Sequence, residues 1–204
     1  MRIAVIRTPE VPRTCGAGIT AASLAAAGHT VRVFTDVPDD PDLTAPADGG
    51  RLRFVIKELG DFTNRLGQVT PGTRAWVDAP FGSLTLQRHD KAGGVALIAG
   101  GVGIAPMLSH LRQLDADKDP RPRVLFYANR AEDQIACREE LDQRTQTGPL
   151  RVVHLLSDPP KGWTGETGFL TPDVLTRHLD AAALKTWVFV LCGPPPMLHA
   201  VENA

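Results

Sequence analysis

From residue 93 onward the chain alternates between two apolar periods. "VALIAG", residues 95–100, is a continuous apolar run, the pattern of a strand buried on both faces. Met107, Leu108, Leu111 and Leu114 then recur at the spacing of one helix face. "RVLFYANR" predicts a second strand, and "AEDQIACREELDQR" a charged helix with Ile135, Ala136 and Leu141 turned inward. "LRVVHLLSD" predicts a third strand. "TPDVLTRHL", residues 171–179, opens as a capped helix, with Thr171 ahead of Pro172 in the first turn. "TWVFVLCG" is a further strand and "PPPMLHAVENA" starts a last helix. Strands separated by helices predict an α/β fold with a doubly wound parallel sheet over residues 93–204.

Upstream the pattern changes. In residues 51–92, "LRFVIKEL", "RAWVDA" and "SLTLQ" alternate in strand fashion, "PGT" turns, and residues 63–69 fit one or two helical turns. This block is β-rich. Residues 1–36 read strand, proline-bearing loop, alanine-rich helix, strand, a βαβ-like beginning. Residues 36–50 are acidic, proline-punctuated and aperiodic, which predicts a linker or long loop. The expected division is therefore 1–50, 51–92 and 93–204.

Composition narrows the function. Hydrophobic residues make up 43% of 204 and charged residues 22%, enough apolar material for a core in an ordinary globular chain. A net charge of −1 with no basic run argues against nucleic acid. No apolar run reaches bilayer length and no secretory signal is legible, so neither a transmembrane segment nor export is expected. Cys15, Cys137 and Cys192 are far apart, without metal-type spacing or a disulfide framework, so a reducing cytoplasmic setting is expected. The six histidines are scattered, and no metal site is expected. No serine-nucleophile elbow or Walker loop occurs.

Two stretches carry chemistry. In "IAGGVGIAPMLSH", residues 98–110, Gly100, Gly101 and Gly103 separate a buried strand from a helix that opens with Ile104 and Pro106. Such a turn lets backbone N–H groups approach a ligand, and the helix N-terminus adds partial positive charge, which suits a pyrophosphate. The alternative is a tight turn with no ligand. In "LCGPPPML", residues 191–198, a buried strand ends at Cys192 and Gly193 and meets Pro194. In a parallel sheet both stretches would face the crevice outside the strands' carboxyl ends. A small thiol there could lie beside a flat ring. Alone, it reads equally as a packing residue.

Together, "IAGGVGIAPM", "LFYANR" and "LCGPPPML" resemble the ferredoxin–NADP reductase superfamily, nearest to its ferric-reductase-like and NADPH-oxidase-like flavin reductases. The resemblance implies that the first glycine turn holds the NAD(P)H pyrophosphate and that Cys192, Gly193 and Pro194 lie beside the nicotinamide. Cys192 would then shape hydride transfer. It implies that Asn129 and Arg130 meet the adenosine ribose, where a guanidinium would favour a 2′-phosphate. Arg130 reads otherwise as a solvated residue at a helix start. Upstream, "FVIKELGDFTNRL…PGTRAWVDAPFG" resembles the last part of that family's flavin barrel. Gly60, Phe62 and Thr63 would hold the FAD pyrophosphate at a short helix start, or Thr63 would simply cap that helix. Ala79 stands where the family usually has glycine.

The resemblance covers residues 51–204 and leaves part of the barrel without a counterpart. The family's Arg-x-Tyr-Ser-type flavin motif has no convincing copy: "RVFT" at 32–35 has a similar form but sits in a Rossmann-like strand. The family's last strand and tail beyond the final helix are also missing from these 204 residues. Residues 1–36 resemble instead the start of a GT-B glycosyltransferase. The expected function is an NAD(P)H-dependent flavin oxidoreductase. It would pass a hydride to FAD and then electrons to ferric iron or a redox partner protein. The alternatives are a non-catalytic NAD(P)-binding module without stable flavin, and a glycosyltransferase fragment.

Overall fold

A computed structural model describes residues 64–70, 86 and 89–202. The βαβ-like beginning, the linker and most of the expected barrel lie outside the described residues. By compactness the chain falls into two units, Met1–Gln87 with Leu108–Lys118, and Arg88–Met107 with Asp119–Ala204. In the first, the short helix expected at 63–69 is a single 3-10 turn, Leu66–Gln68.

The second unit is built on a five-stranded parallel sheet in the order β4-β3-β2-β1-β5. The strands are β1 (Val95–Gly100), β2 (Arg123–Asn129), β3 (Leu150–Leu156), β4 (Glu166–Thr167) and β5 (Val188–Cys192). The helices are α1 (Ile104–Ala116), whose residues from Leu108 on belong to the first unit, and, in the second unit, α2 (Arg138–Thr147), α3 (Pro172–His178), α4 (Ala181–Thr186) and α5 (Pro195–Glu202). All six residues of β1 are buried, which is why its sequence shows no alternation. On one face Ala96, Ile98, Val124 and Phe126 pack with Val174 and Leu175 of α3. On the other, Leu97, Leu125 and Tyr127 are equally buried. Each such large side chain contributes about 1.5–3 kcal/mol on burial.

The helix expected from Ala131 starts later. Residues 132–134 form a 3-10 turn, and α2 begins after Cys137, whose φ is 56°. Ala136 donates its N–H to the Tyr127 hydroxyl at 3.2 Å, so a buried side chain captures a donor in the stretch that would have carried the helix. Two elements were not anticipated. β4 is too short to show a period. α4 follows Asp180, whose Oδ1 accepts from the Ala183 N–H at 2.7 Å, an ordinary N-cap. The α3 cap is as expected, with Thr171 Oγ1 accepting from Val174 N–H at 3.4 Å.

β1 is the hinge of the topology. The chain leaves it to one side through β2, β3 and β4, then returns to its other side as β5. That reversal places a switch point between the carboxyl ends of β1 and β5. At the opposite end of the sheet, Arg121 donates to both oxygens of Asp119 and to the His89 carbonyl, tying the chain ahead of β1 to the start of β2.

Candidate functional site at the sheet's switch point

The two glycine stretches meet there. Ala99 of β1 is opposite Cys192 of β5. Gly100 is extended, Gly101 has φ +53°, and residues Gly101–Gly103 make a 3-10 turn that runs into α1. A Cβ on Gly103 would lie 2.1 Å from the Cys192 carbonyl oxygen and 2.7 Å from its carbon. A Cβ on Gly193 would lie 3.1 Å from the Gly100 nitrogen. One on Gly100 would lie 2.7 Å from Pro194 Cδ. The two turns, about ninety residues apart in sequence, therefore pack backbone against backbone.

Gly101 differs from its neighbours. Nothing lies within 4 Å of where its Cβ would be, so this side of the turn is open. The first turn of α1 carries no acid, and Pro106 falls within it, where no intrahelical donor is needed. Ile104 and Pro106 are buried beneath the opening. An open glycine turn at an uncompensated helix N-terminus can hold a phosphate. Cys192 is 6% exposed and forms no disulfide among the described residues.

Along the same edge, Asn129 ends β2. It is 9% exposed, and its side-chain nitrogen is buried with no hydrogen-bond partner among the described residues. The Tyr127 phenol is pushed up by burial, partly offset by the Ala136 N–H and by the Asn129 side chain. Arg130 is 75% exposed and pairs with Asp158 at 3.7 Å. The backbones of these two residues are joined as well, Asp158 N–H donating to the Arg130 carbonyl at 2.7 Å. Past β4, Gly168 at φ +88° turns the chain, and Phe169 stands 78% exposed. An open glycine cradle and an orphaned buried donor fit a nucleotide.

Of the residues singled out in sequence, Gly100, Gly101, Gly103, Ile104, Pro106, Cys192, Gly193 and Pro194 lie together at the switch point. Asn129 and Arg130 lie along the same edge. Gly60, Phe62 and Thr63 lie outside the described residues. Asp158 and Phe169 were missed. Asp158 had a signal, an acid just past a buried strand. Phe169 had only the glycine before it. Among the described residues no group of histidine, cysteine and acidic side chains could hold a metal, and no helix is long and apolar enough to cross a membrane.

A parallel sheet with glycine turns on both sides of its switch point defines a dinucleotide-binding α/β domain. The chain belongs to the oxidoreductase NAD-binding domain family, which matches residues 97–203, and its domain is of the ferredoxin-reductase type. It is similar to NADH-cytochrome b5 reductase 1 of Lodderomyces elongisporus, 34% identical over 160 residues that cover 76% of this chain and 53% of that protein. Among solved structures, cytochrome P450 reductase GcoB of Amycolatopsis matches with a TM-score of 0.52 and 28% identity, over 61% of this chain and 37% of the other. The CS-b5R domains of human Ncb5or in the NAD+ form share the fold, with a TM-score of 0.58 and 24% identity, over 72% of this chain and 44% of the other. The chain spans between half and two thirds of the length of the curated relatives it matches.

Proposed function

We propose that this chain is the NADH-binding part of a flavin reductase of the cytochrome b5 reductase type. It would move a hydride from NADH to FAD and electrons onward to a haem protein. The observation that carries this reading is the backbone contact between the Gly100–Gly103 and Cys192–Gly193 turns at the switch point. The pyrophosphate would lie over Gly101 and Gly103, with the nicotinamide beside Cys192, Gly193 and Pro194. Cys192, small and buried, would shape the ring's seat and would not act as a nucleophile. When bound, FAD supplies the hydride acceptor and the release of single electrons. Gly60, Phe62 and Thr63 are the residues proposed to hold its pyrophosphate. The relatives' names favour cytochrome b5 as acceptor over ferric iron. A cytoplasmic setting is proposed with it, on the sequence's three widely spaced cysteines.

For the adenosine half, the exposed Phe169 ring is proposed as the surface on which adenine stacks. Asp158 favours NADH over NADPH, because a 2′-phosphate meeting Arg130 would also meet this carboxylate. Asp158→Ala is expected to raise the NADPH-to-NADH ratio of kcat/KM about five- to tenfold, a modest change because both charges are exposed. An unchanged ratio in steady-state kinetics would refute this role.

The test of the whole reading is a visible spectrum after incubation with FAD and desalting, then after anaerobic NADH. A retained flavin band that NADH bleaches, followed by reduction of added cytochrome b5, is the expected result. A second reading is a nucleotide-binding module without stable flavin. It predicts no retained band, with NADH still raising the melting temperature.

A further inference from the structure

β4 has only two residues and lies at the edge of the sheet, paired to β3 through Leu155–Glu166 and Leu156–Thr167. So short a strand holds its place poorly by ladder bonds alone. Yet the chain that leaves it must present Phe169 at the crevice edge. Gly168 donates its N–H to the Leu156 carbonyl at 2.8 Å, and Leu170, just beyond Phe169, is buried under α3 and α4. The base of this excursion is closed by Glu166. Its Oε2 accepts from Arg177 Nη2 at 2.6 Å, and its Oε1 accepts from Arg177 Nε at 3.2 Å. His178 Nε2 meets Oε1 at 2.7 Å. Arg151 of β3 donates to the His178 carbonyl, and the His178 ring stands edge-on to Phe126 of β2. One carboxylate thus ties the edge strand to the far end of α3, and the tie is anchored on two further strands. Trp163 Nε1 holds the Glu166 carbonyl at 3.0 Å from the other side.

We propose that Glu166 is a positioning residue for the adenosine half of the nucleotide: by stapling β4 to Arg177 and His178 it fixes the Gly168–Phe169 turn at the crevice edge. The inference rests on the reading of Phe169 as the adenine platform. Glu166 touches no nucleotide and acts through the turn. Hydrogen bonds from Arg177 and His178 hold its carboxyl down to about 2, so the staple is ionised at neutral pH. The turn carries Phe169 between two fixed points, Glu166 and Leu170. Releasing the first lets the ring sample other positions, and a stacking surface must be held still to bind well.

The experiment is isothermal calorimetry on the full chain with 5′-AMP, NAD+ and nicotinamide mononucleotide. Phe169→Ala is expected to weaken 5′-AMP and NAD+ about tenfold, the effect of one lost base–aromatic stack. Glu166→Ala should weaken the same two ligands about three- to tenfold, and Arg177→Ala, a change at a half-exposed side chain, about threefold. Glu166→Gln keeps one acceptor oxygen but sets an N–H2 donor where the other accepted from Arg177 or His178, so it should recover only part of the affinity. Nicotinamide mononucleotide, which lacks the adenosine, should bind all variants within about twofold of the native protein. If Phe169→Ala weakens 5′-AMP while Glu166→Ala and Arg177→Ala do not, the staple is overturned and the adenine platform stands. If Phe169→Ala changes nothing, the platform falls and the proposal with it. Equal weakening of 5′-AMP and nicotinamide mononucleotide by Glu166→Ala would mark a general loss of structure and overturn a positioning role.

Discussion

Gly103→Ala is expected to destabilise the protein by about 3 kcal/mol and to abolish measurable NADH binding, because the added methyl would strike a neighbouring backbone. The atoms in its way are the Cys192 carbonyl oxygen, 2.1 Å from the new Cβ, and the carbonyl carbon, 2.7 Å away. Neither can rotate aside as a flexible side chain would. Relief requires the β1–α1 turn to move off the end of β5, which separates the two halves of the proposed nucleotide seat. Gly103 does not need glycine's left-handed freedom, so the constraint is space and not dihedral angle. Gly101 is the converse case. Its φ is +53° and nothing lies within 4 Å of its Cβ position, so Gly101→Ala should cost only about 1–2 kcal/mol of backbone strain. Its methyl would nevertheless point into the open side of the turn, and NADH affinity should fall more than stability does. Urea unfolding and calorimetry with NADH separate the two cases. A Gly103→Ala protein with native stability and native affinity would show that the contact between the turns is not tight in solution.

The same contact explains how much of the site could be read from sequence. "VALIAG" declares a strand buried on both faces because nothing polar interrupts it, and a glycine turn after such a strand has few structural uses. Cys192 and Gly193 gain meaning only from their position beside that turn, which parallel topology forces on strands ending in the same crevice. What sequence could not supply depends on partners far along the chain. Arg130 reads as a solvated cation or a phosphate ligand until Asp158 is found 3.7 Å away. Glu166 reads as one more surface acid, because its partners are eleven and twelve residues on, at the end of a helix whose length is not fixed by its cap. The residues ahead of α2 have good helical composition, yet the Tyr127 hydroxyl takes the Ala136 N–H and the helix begins only after Cys137. In each case the local preference was legible and a tertiary contact decided the outcome.

His110 makes the protein's stability depend on pH in a range where few other groups titrate. It lies in α1, is 5% exposed, and its Nε2 has no hydrogen-bond partner among the described residues. Burial lowers its pKa from 6.5 to about 4, since a charged imidazole cannot be solvated there. In the unfolded chain it titrates near 6.5. Between those values the unfolded state binds a proton that the folded state does not, so stability is whole above about pH 6.5 and falls as pH drops toward 4. The loss amounts to at most about 1.4 kcal/mol per pH unit, or roughly 3 kcal/mol in all. His154, lowered chiefly by burial, acts in the same direction. Glu166 belongs to a lower window: its contribution is present above its ordinary value of 4.5 and is lost as pH falls toward 2. Stability between pH 6.5 and 4.5 is therefore governed by buried histidine among the described residues. His110→Leu removes the titration and leaves an apolar side chain of comparable size. Its urea midpoint should change much less than the native protein's when pH falls from 7 to 4.5, so the difference between the two shifts in the variant's favour by about 2 kcal/mol. If both proteins lose stability with the same slope, His110 takes up its proton in the folded state as readily as in the unfolded one, and its burial is not what the pH profile reports.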